Sequence, residues 1–210
     1  MEDSHFHRID RLNRYFQQVR ASLYSPLLKA LTALGLTANK ITNGRLILAV
    51  IFWVWFPYNP EGASILMLVT LLLDTVDGAL ARYQGRTSDR GKFLDVFTDH
   101  AVYAAMILCM IGMHVSPIAL VYNMFIVGAA YFLAALYKGE GRPTDWIIKP
   151  YPQLSYIRAF MVLAFYITVW SSYDVSAAGT FLTNAVATVA AIYYWAELQR
   201  RWKNTHARHA

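Results

Sequence analysis

Four aspartates fall in one short stretch, DTVDGALARYQGRTSDRGKFLDVFTD, at residues 74–99. Asp74 and Asp77 stand three residues apart, and Asp95 and Asp99 four apart. On a helix either spacing puts both side chains on one face. Apolar runs at 63–73 and 101–111 flank the stretch. Carboxylates beside membrane-length apolar segments are costly, and by default they mark function. Four of them brought together need cations. Hard oxygen donors suit Mg2+ or Mn2+, held by carboxylates together with substrate phosphates. Two such ions sharing carboxylates would clamp a diphosphate.

The residues between support that chemistry. Gly78 and Ala81 continue the Asp74–Asp77 face and are small enough for a ligand or a second helix to approach the backbone. Gly91, Asp95 and Asp99 form a stripe at every fourth position. Two antiparallel helices joined by a short link would face these stripes toward each other. Arg82 is placed for a phosphate oxygen. The competing reading pairs the acids with Arg82, Arg86, Arg90 and Lys92 in a solvated loop. It suits Asp89; the spacing with glycines argues against it for the other four.

The elements that must position these residues are membrane helices. The chain has 210 residues, 57% hydrophobic and 15% charged, against about 45–50% and about 25% in soluble domains. Six apolar segments of spanning length are expected at 42–57, 62–82, 93–113, 117–137, 154–171 and 177–196. The opening MEDSHFHRID lacks the apolar core of a secretory signal, so insertion is expected to begin with the first span. Residues 8–31 carry Ile9, Leu12, Tyr15, Phe16, Val19 and Leu23 at helical spacing between arginines. This is the pattern of an interfacial amphipathic helix, or of a helix packed on the bundle, broken or kinked at Pro26. With the N-terminus in the cytoplasm, all 19 lysines and arginines fall on the inner side and the outer links carry none. The net charge of +6 is therefore a topology signal, and nucleic acid is not an expected partner. Both termini and the aspartate stretch then lie at the cytoplasmic face. The basic tail, ELQRRWKNTHARHA, suits anionic membrane lipids. The lone Cys109 leaves no internal disulfide and reads as a packed thiol.

Asp74-x-x-Asp77-Gly78-x-x-Ala81-Arg82, eight residues, then Gly91-x-x-x-Asp95-x-x-x-Asp99 resembles the signature of the CDP-alcohol phosphotransferase family (class I CDP-alcohol phosphatidyltransferases), with every fixed position matched. The resemblance is firm over residues 35–100 and topological beyond them. It implies an all-α integral membrane enzyme of phospholipid biosynthesis, with six transmembrane helices and an N-terminal juxtamembrane helix. The chain would divide into that helix (1–40), the transmembrane catalytic domain (41–197) and a basic cytoplasmic tail (198–210). Such an enzyme transfers the phosphatidyl group of a CDP-linked lipid, commonly CDP-diacylglycerol, to a small polar alcohol and releases CMP. By resemblance Asp74, Asp77 and Asp95 hold two metal ions, and Asp99 is the general base and a further metal ligand. Gly78, Ala81 and Gly91 would make room for the CDP group, whose phosphates Arg82 would meet. Ser88 stands where relatives carry a Ser or Thr near the nucleotide. Asn39 and Thr42, in GLTANKIT, are further nucleotide-site candidates; Ala38 departs from the proline common there. A homodimer is also implied, and Gly128, Ala129 and Ala130 permit close helix contact without specifying it.

The acceptor is less legible. Arg158 lies early in the fifth span, where it would bind an acceptor phosphate, as in relatives using inositol phosphate or glycerol phosphate, or snorkel to lipid head groups. Lys138 and Arg142 would assist the first role. His100 neighbours Asp99 but is turned off its stripe, which favours a structural role. A divalent-cation transporter is a rival, but it needs polar groups through the membrane depth, and spans four and six are almost free of charge. A non-catalytic scaffold is a second rival, against which the intact signature argues.

Overall fold

The computed structural model describes residues 24–139 and 152–207. These are helical: α1 (residues 24–33), α2 (Ala38–Trp55), α3 (Pro60–Tyr83), α4 (Asp89–Met110), α5 (Pro117–Gly139), α6 (Pro152–Trp170) and α7 (Ser176–Ala207). Each apolar segment expected from the sequence is a helix, displaced by a few residues. The last one runs on to Ala207, since ELQRRWKNTHA holds no breaker and Leu198 is buried against the bundle. Most of the N-terminal amphipathic segment lies outside the described residues; Pro26 sits within α1 rather than ending it.

Local chemistry sets the starts. The Thr37 side chain accepts from Lys40 N at the head of α2. Asn59 accepts from Gly62 N at 2.9 Å, just before Pro60 opens α3. Ser88 accepts from Gly91 N at 3.1 Å at the head of α4. Between α3 and α4 the chain turns at Gly85 with φ 63°, a left-handed conformation that favours glycine.

Four stretches are long and apolar enough to cross a membrane, Pro60–Tyr83, Arg90–Met110, Pro117–Tyr137 and Ser176–Lys203, and Ile157–Trp170 is a shorter apolar helix. Ile47, Val54, Ile118, Phe125, Phe181 and Val189 all point outward. Such an apolar belt suits lipid, and the helices satisfy their own backbone groups there. The chain is an integral membrane protein.

The principal helix pairings are α5 with α7, α2 with α3, α6 with α7, and α2 with α4. Phe52, Phe56 and Phe165 stack at the centre, with centroids 5.5–6.0 Å apart. Ser64 ties α3 to α6, its carbonyl accepting from Tyr166 at 3.0 Å and its hydroxyl from Trp170 Nε1 at 2.8 Å. Leu28 of α1 is buried against Val76, Ala79 and Leu80, so α1 braces the end of α3 that carries the aspartates. At the other end of the bundle His114 Nδ1 lies 3.0 Å from Asp174, which also accepts from Ser176. The Ser176 hydroxyl and N–H hold that carboxyl below its ordinary range. Cys109 is buried, as expected of a packed thiol.

The α6–α7 contact leaves no room for a side chain at Gly179: a Cβ there would stand 2.2 Å from Ala164 Cβ and 3.1 Å from the Phe160 carbonyl oxygen. Gly179→Ala is expected to cost about 1–3 kcal/mol, the usual range for overpacking. Gly128→Ala, at a position with open space around it, serves as the control. Thermal unfolding in detergent reads both; equal midpoints would contradict the close contact.

Candidate active site

The aspartates of α3 and α4 do come together, but not by direct pairing of those two helices. α2 packs against both and delivers Arg45 into the space between them. Arg45 Nη1 lies 2.7 Å from Asp74 Oδ1, 3.1 Å from Asp77 Oδ2 and 3.3 Å from Asp95 Oδ1, and Nη2 lies 2.6 Å from Asp99 Oδ1. The aspartate stripes of α3 and α4 thus face each other as expected, and α2 adds a third helix to the junction. The physical reason is charge: facing carboxylate stripes repel, and a buried cation between them lets both approach.

The four acids are not equivalent. Asp77 is 3% exposed and also accepts from Thr42 Oγ1 at 2.9 Å. Asp74, Asp95 and Asp99 keep 39%, 45% and 34% of their side-chain surface. Each of these three offers an oxygen within 4.8 Å of the other two, a spacing one cation could span. Partly open carboxylates at this spacing fit a hard divalent ion with room for water or phosphate. Asp77 is positioned from behind by α2.

The open side of the cluster continues into a cavity of about 320 Å³ lined by Asp74, Asp99, His100, Tyr103, Tyr131 and Arg158. Arg158 Nη1 donates to the Asp99 carbonyl oxygen at 3.3 Å. Its guanidinium lies 4.4 Å from the Tyr131 ring centre and 5.3 Å from that of Tyr103, a desolvated cation–π setting. Its Nε is buried without a partner. Tyr103 is fixed in turn by a polar chain: its hydroxyl donates to Asn123 at 2.8 Å, and Asn123 donates to Asn184 at 2.7 Å. His100 Nδ1 sits 2.8 Å from the Val96 carbonyl oxygen, so its ring is anchored to its own helix while lining the same cavity.

The remaining candidates do not line that cavity. A Cβ on Gly91 would stand 3.2 Å from Ser88 Oγ and 3.3 Å from Asn39 Oδ1, so these three form a tight corner. Ser88 is there the cap of α4. Arg82 is exposed and folds back along its helix, with Nη1 3.5 Å from where a Gly78 Cβ would be. Ala81 is half-buried beside it. Thr42 is buried and faces Asp77. Arg142 and the Lys138 side chain lie outside the described residues.

Sequence reasoning counted Arg45 only as an inner-side positive charge. The signal was available: Thr42, Arg45, Ala49 and Phe52 form the buried face of α2, and a charge in such a stripe must meet partners inside.

A carboxylate cluster at one end of a helical membrane bundle, opening into a cavity with an arginine on its wall, describes a class of membrane enzyme handling phosphate groups. The CDP-alcohol phosphatidyltransferase pattern matches residues 35–195, and the chain belongs to that family. It is 38% identical over 80 residues to archaetidylinositol phosphate synthase of Pyrococcus horikoshii, a match covering 38% of this chain and 43% of that one. It is 47% identical over 45 residues to the synthase of the same name from Aeropyrum pernix, covering 21% of this chain and 23% of that one. These alignments therefore span less than half of each relative. The fold resembles the crystal structure of Mycobacterium tuberculosis phosphatidylinositol phosphate synthase in apo form, with a TM-score of 0.64 at 18% identity, over 83% of this chain and 95% of that one.

Thr42→Val removes a hydrogen-bond donor to a buried carboxylate. It is expected to lower stability by about 1–3 kcal/mol, read as a lower thermal midpoint in chelator. An unchanged midpoint would show that the Thr42–Asp77 bond contributes nothing.

Proposed function

We propose that this chain transfers a phosphatidyl-type group from a CDP-linked lipid to a phosphorylated small alcohol, most simply an inositol phosphate, with release of CMP. The donor lipid is diacylglycerol-based or its archaeal counterpart. The observation that carries this reading is the junction of two sites: carboxylate oxygens of Asp74, Asp95 and Asp99 within 4.8 Å of one another, opening into a cavity that holds Arg158. The names of the archaeal relatives point to the same acceptor.

In this reading Asp74, Asp77, Asp95 and Asp99 serve two Mg2+ or Mn2+ ions, with Asp77 held by Thr42 and Arg45. Bound there, the ions neutralise the diphosphate and the charge that develops on leaving CMP. Gly78, Ala81 and Gly91 leave space for the nucleotide beside Arg82, Ser88 and Asn39. Asp99 takes the proton from the acceptor hydroxyl, which then attacks the lipid-side phosphorus. Arg158 meets the phosphate of the acceptor, its orientation set by Tyr103 and Tyr131; Lys138 and Arg142 are further candidates for that phosphate. The six long helices cross the membrane, residues 41–197 form the catalytic domain, and 1–40 and 198–210 lie at the cytoplasmic face with the active site and both termini. A homodimer completes the proposal.

The test is CMP release by purified protein given CDP-diacylglycerol or a CDP-linked archaeal lipid, Mg2+ or Mn2+, and inositol phosphate, glycerol phosphate or unphosphorylated inositol. Inositol phosphate is expected to be the preferred acceptor. Asp99→Asn is expected to lower kcat by about 10²-fold or more, and Arg158→Gln to raise KM for the acceptor far more than for the donor. Absence of CMP with every combination would refute the activity. Equal use of phosphorylated and unphosphorylated acceptors would refute the role of Arg158.

A further inference from the structure

We propose that Arg45 is a resident counter-cation of the carboxylate cluster, one that a metal ion must displace, so that it weakens metal binding while no nucleotide is bound. The proposal rests on the metal reading of Asp74, Asp95 and Asp99 given above.

The geometry of the guanidinium is the starting point. Nη1 carries two hydrogens but faces three carboxylates, at 2.7, 3.1 and 3.3 Å. Nη2 serves Asp99 at 2.6 Å. Nε is buried and has no acceptor. A guanidinium offers five N–H donors in a rigid fork and binds best where two oxygens match that fork. Here one nitrogen is oversubscribed and another is unused, in a side chain only 1% exposed. Arg45 thus holds the acids together by charge more than by matched hydrogen bonds. A divalent ion, with up to six oxygen positions, serves the same acids better.

Both cations compete for the same three carboxylates. A metal ion bound by Asp74, Asp95 and Asp99 would lie about 2.1 Å from an oxygen of each, on the same carboxylates that Arg45 approaches to 2.7, 3.3 and 2.6 Å. Like charges that close repel strongly in a partly buried site. Metal entry therefore drives the guanidinium back from the open acids toward Asp77, which no other cation among the described residues contacts. The donor diphosphate offers the displaced guanidinium a new anion. Without Arg45 the metal-free protein would hold four converging carboxylates without the guanidinium that contacts all of them.

The experiment loads detergent-solubilised full-length protein with Mn2+, adds no nucleotide, and withdraws the ion with a graded chelator series. Free Mn2+ is read by electron paramagnetic resonance. Arg45→Gln is expected to bind Mn2+ at least about tenfold more tightly than the unaltered chain. Arg45→Lys keeps the charge and is expected to stay within about threefold of the unaltered chain. Arg86→Gln, an exposed loop position, is expected to change nothing. The rise in Tm on adding Mn2+ should be larger for Arg45→Gln than for the unaltered chain; this second readout does not require the metal-free variant to be isolated. Equal or weaker Mn2+ binding by Arg45→Gln would overturn the proposal and leave the metal site standing. Absence of bound Mn2+ in the unaltered chain and in Arg45→Gln alike would remove the metal reading and this proposal together.

Discussion

Everything in this protein is arranged around five charged side chains from three helices that share one small space. Four are carboxylates and one is a guanidinium, Arg45. Acids in such a place repel one another and lose hydration as the helices close. The junction is tolerable only because α2 brings a cation between α3 and α4, and because Asp74, Asp95 and Asp99 stay open enough to recruit more positive charge. The rest of the bundle serves that constraint. α1 braces the end of α3 through Leu28, and the Phe52–Phe56–Phe165 cluster locks α2 to α6.

The two ends of the site do different work. On one side, Ser88, Asn39 and Gly91 form a tight, polar corner. Inward, the cavity ends on Arg158, whose guanidinium sits between two tyrosine rings with its Nε unpaired. A buried cation with an unused donor is a costly arrangement unless an anion joins it. The Tyr103–Asn123–Asn184 chain explains how it is held, because polar side chains between membrane helices supply positional precision where apolar packing alone does not. Asp99 lies between the carboxylate cluster and the Arg158 cavity.

Much of this was legible in the sequence. The spacing of Asp74, Asp77, Asp95 and Asp99 marked the site, and apolar runs marked the six long helices, because both signals follow from helical periodicity and the cost of charge near lipid. Arg45 was not read as part of the site, although its place on the Thr42–Ala49–Phe52 stripe could have revealed it. The insertion of α2 between α3 and α4 was not legible for a deeper reason. Apolar helix faces in lipid carry little preference for one neighbour over another, so the helix order is set by a few polar contacts between residues distant in sequence. The continuation of α7 to Ala207 was hidden by its change in composition from apolar to basic, which alters hydropathy but not helix propensity.

The central claim is that the open carboxylates form a metal centre. Anomalous X-ray scattering at the manganese edge, from crystals of the protein grown with Mn2+, tests it most directly. The account predicts a peak in contact with Asp74, Asp95 and Asp99, with the Arg45 guanidinium withdrawn from Asp74 and Asp99. Crystals that show no manganese there, with Arg45 still bridging the four acids, would contradict it.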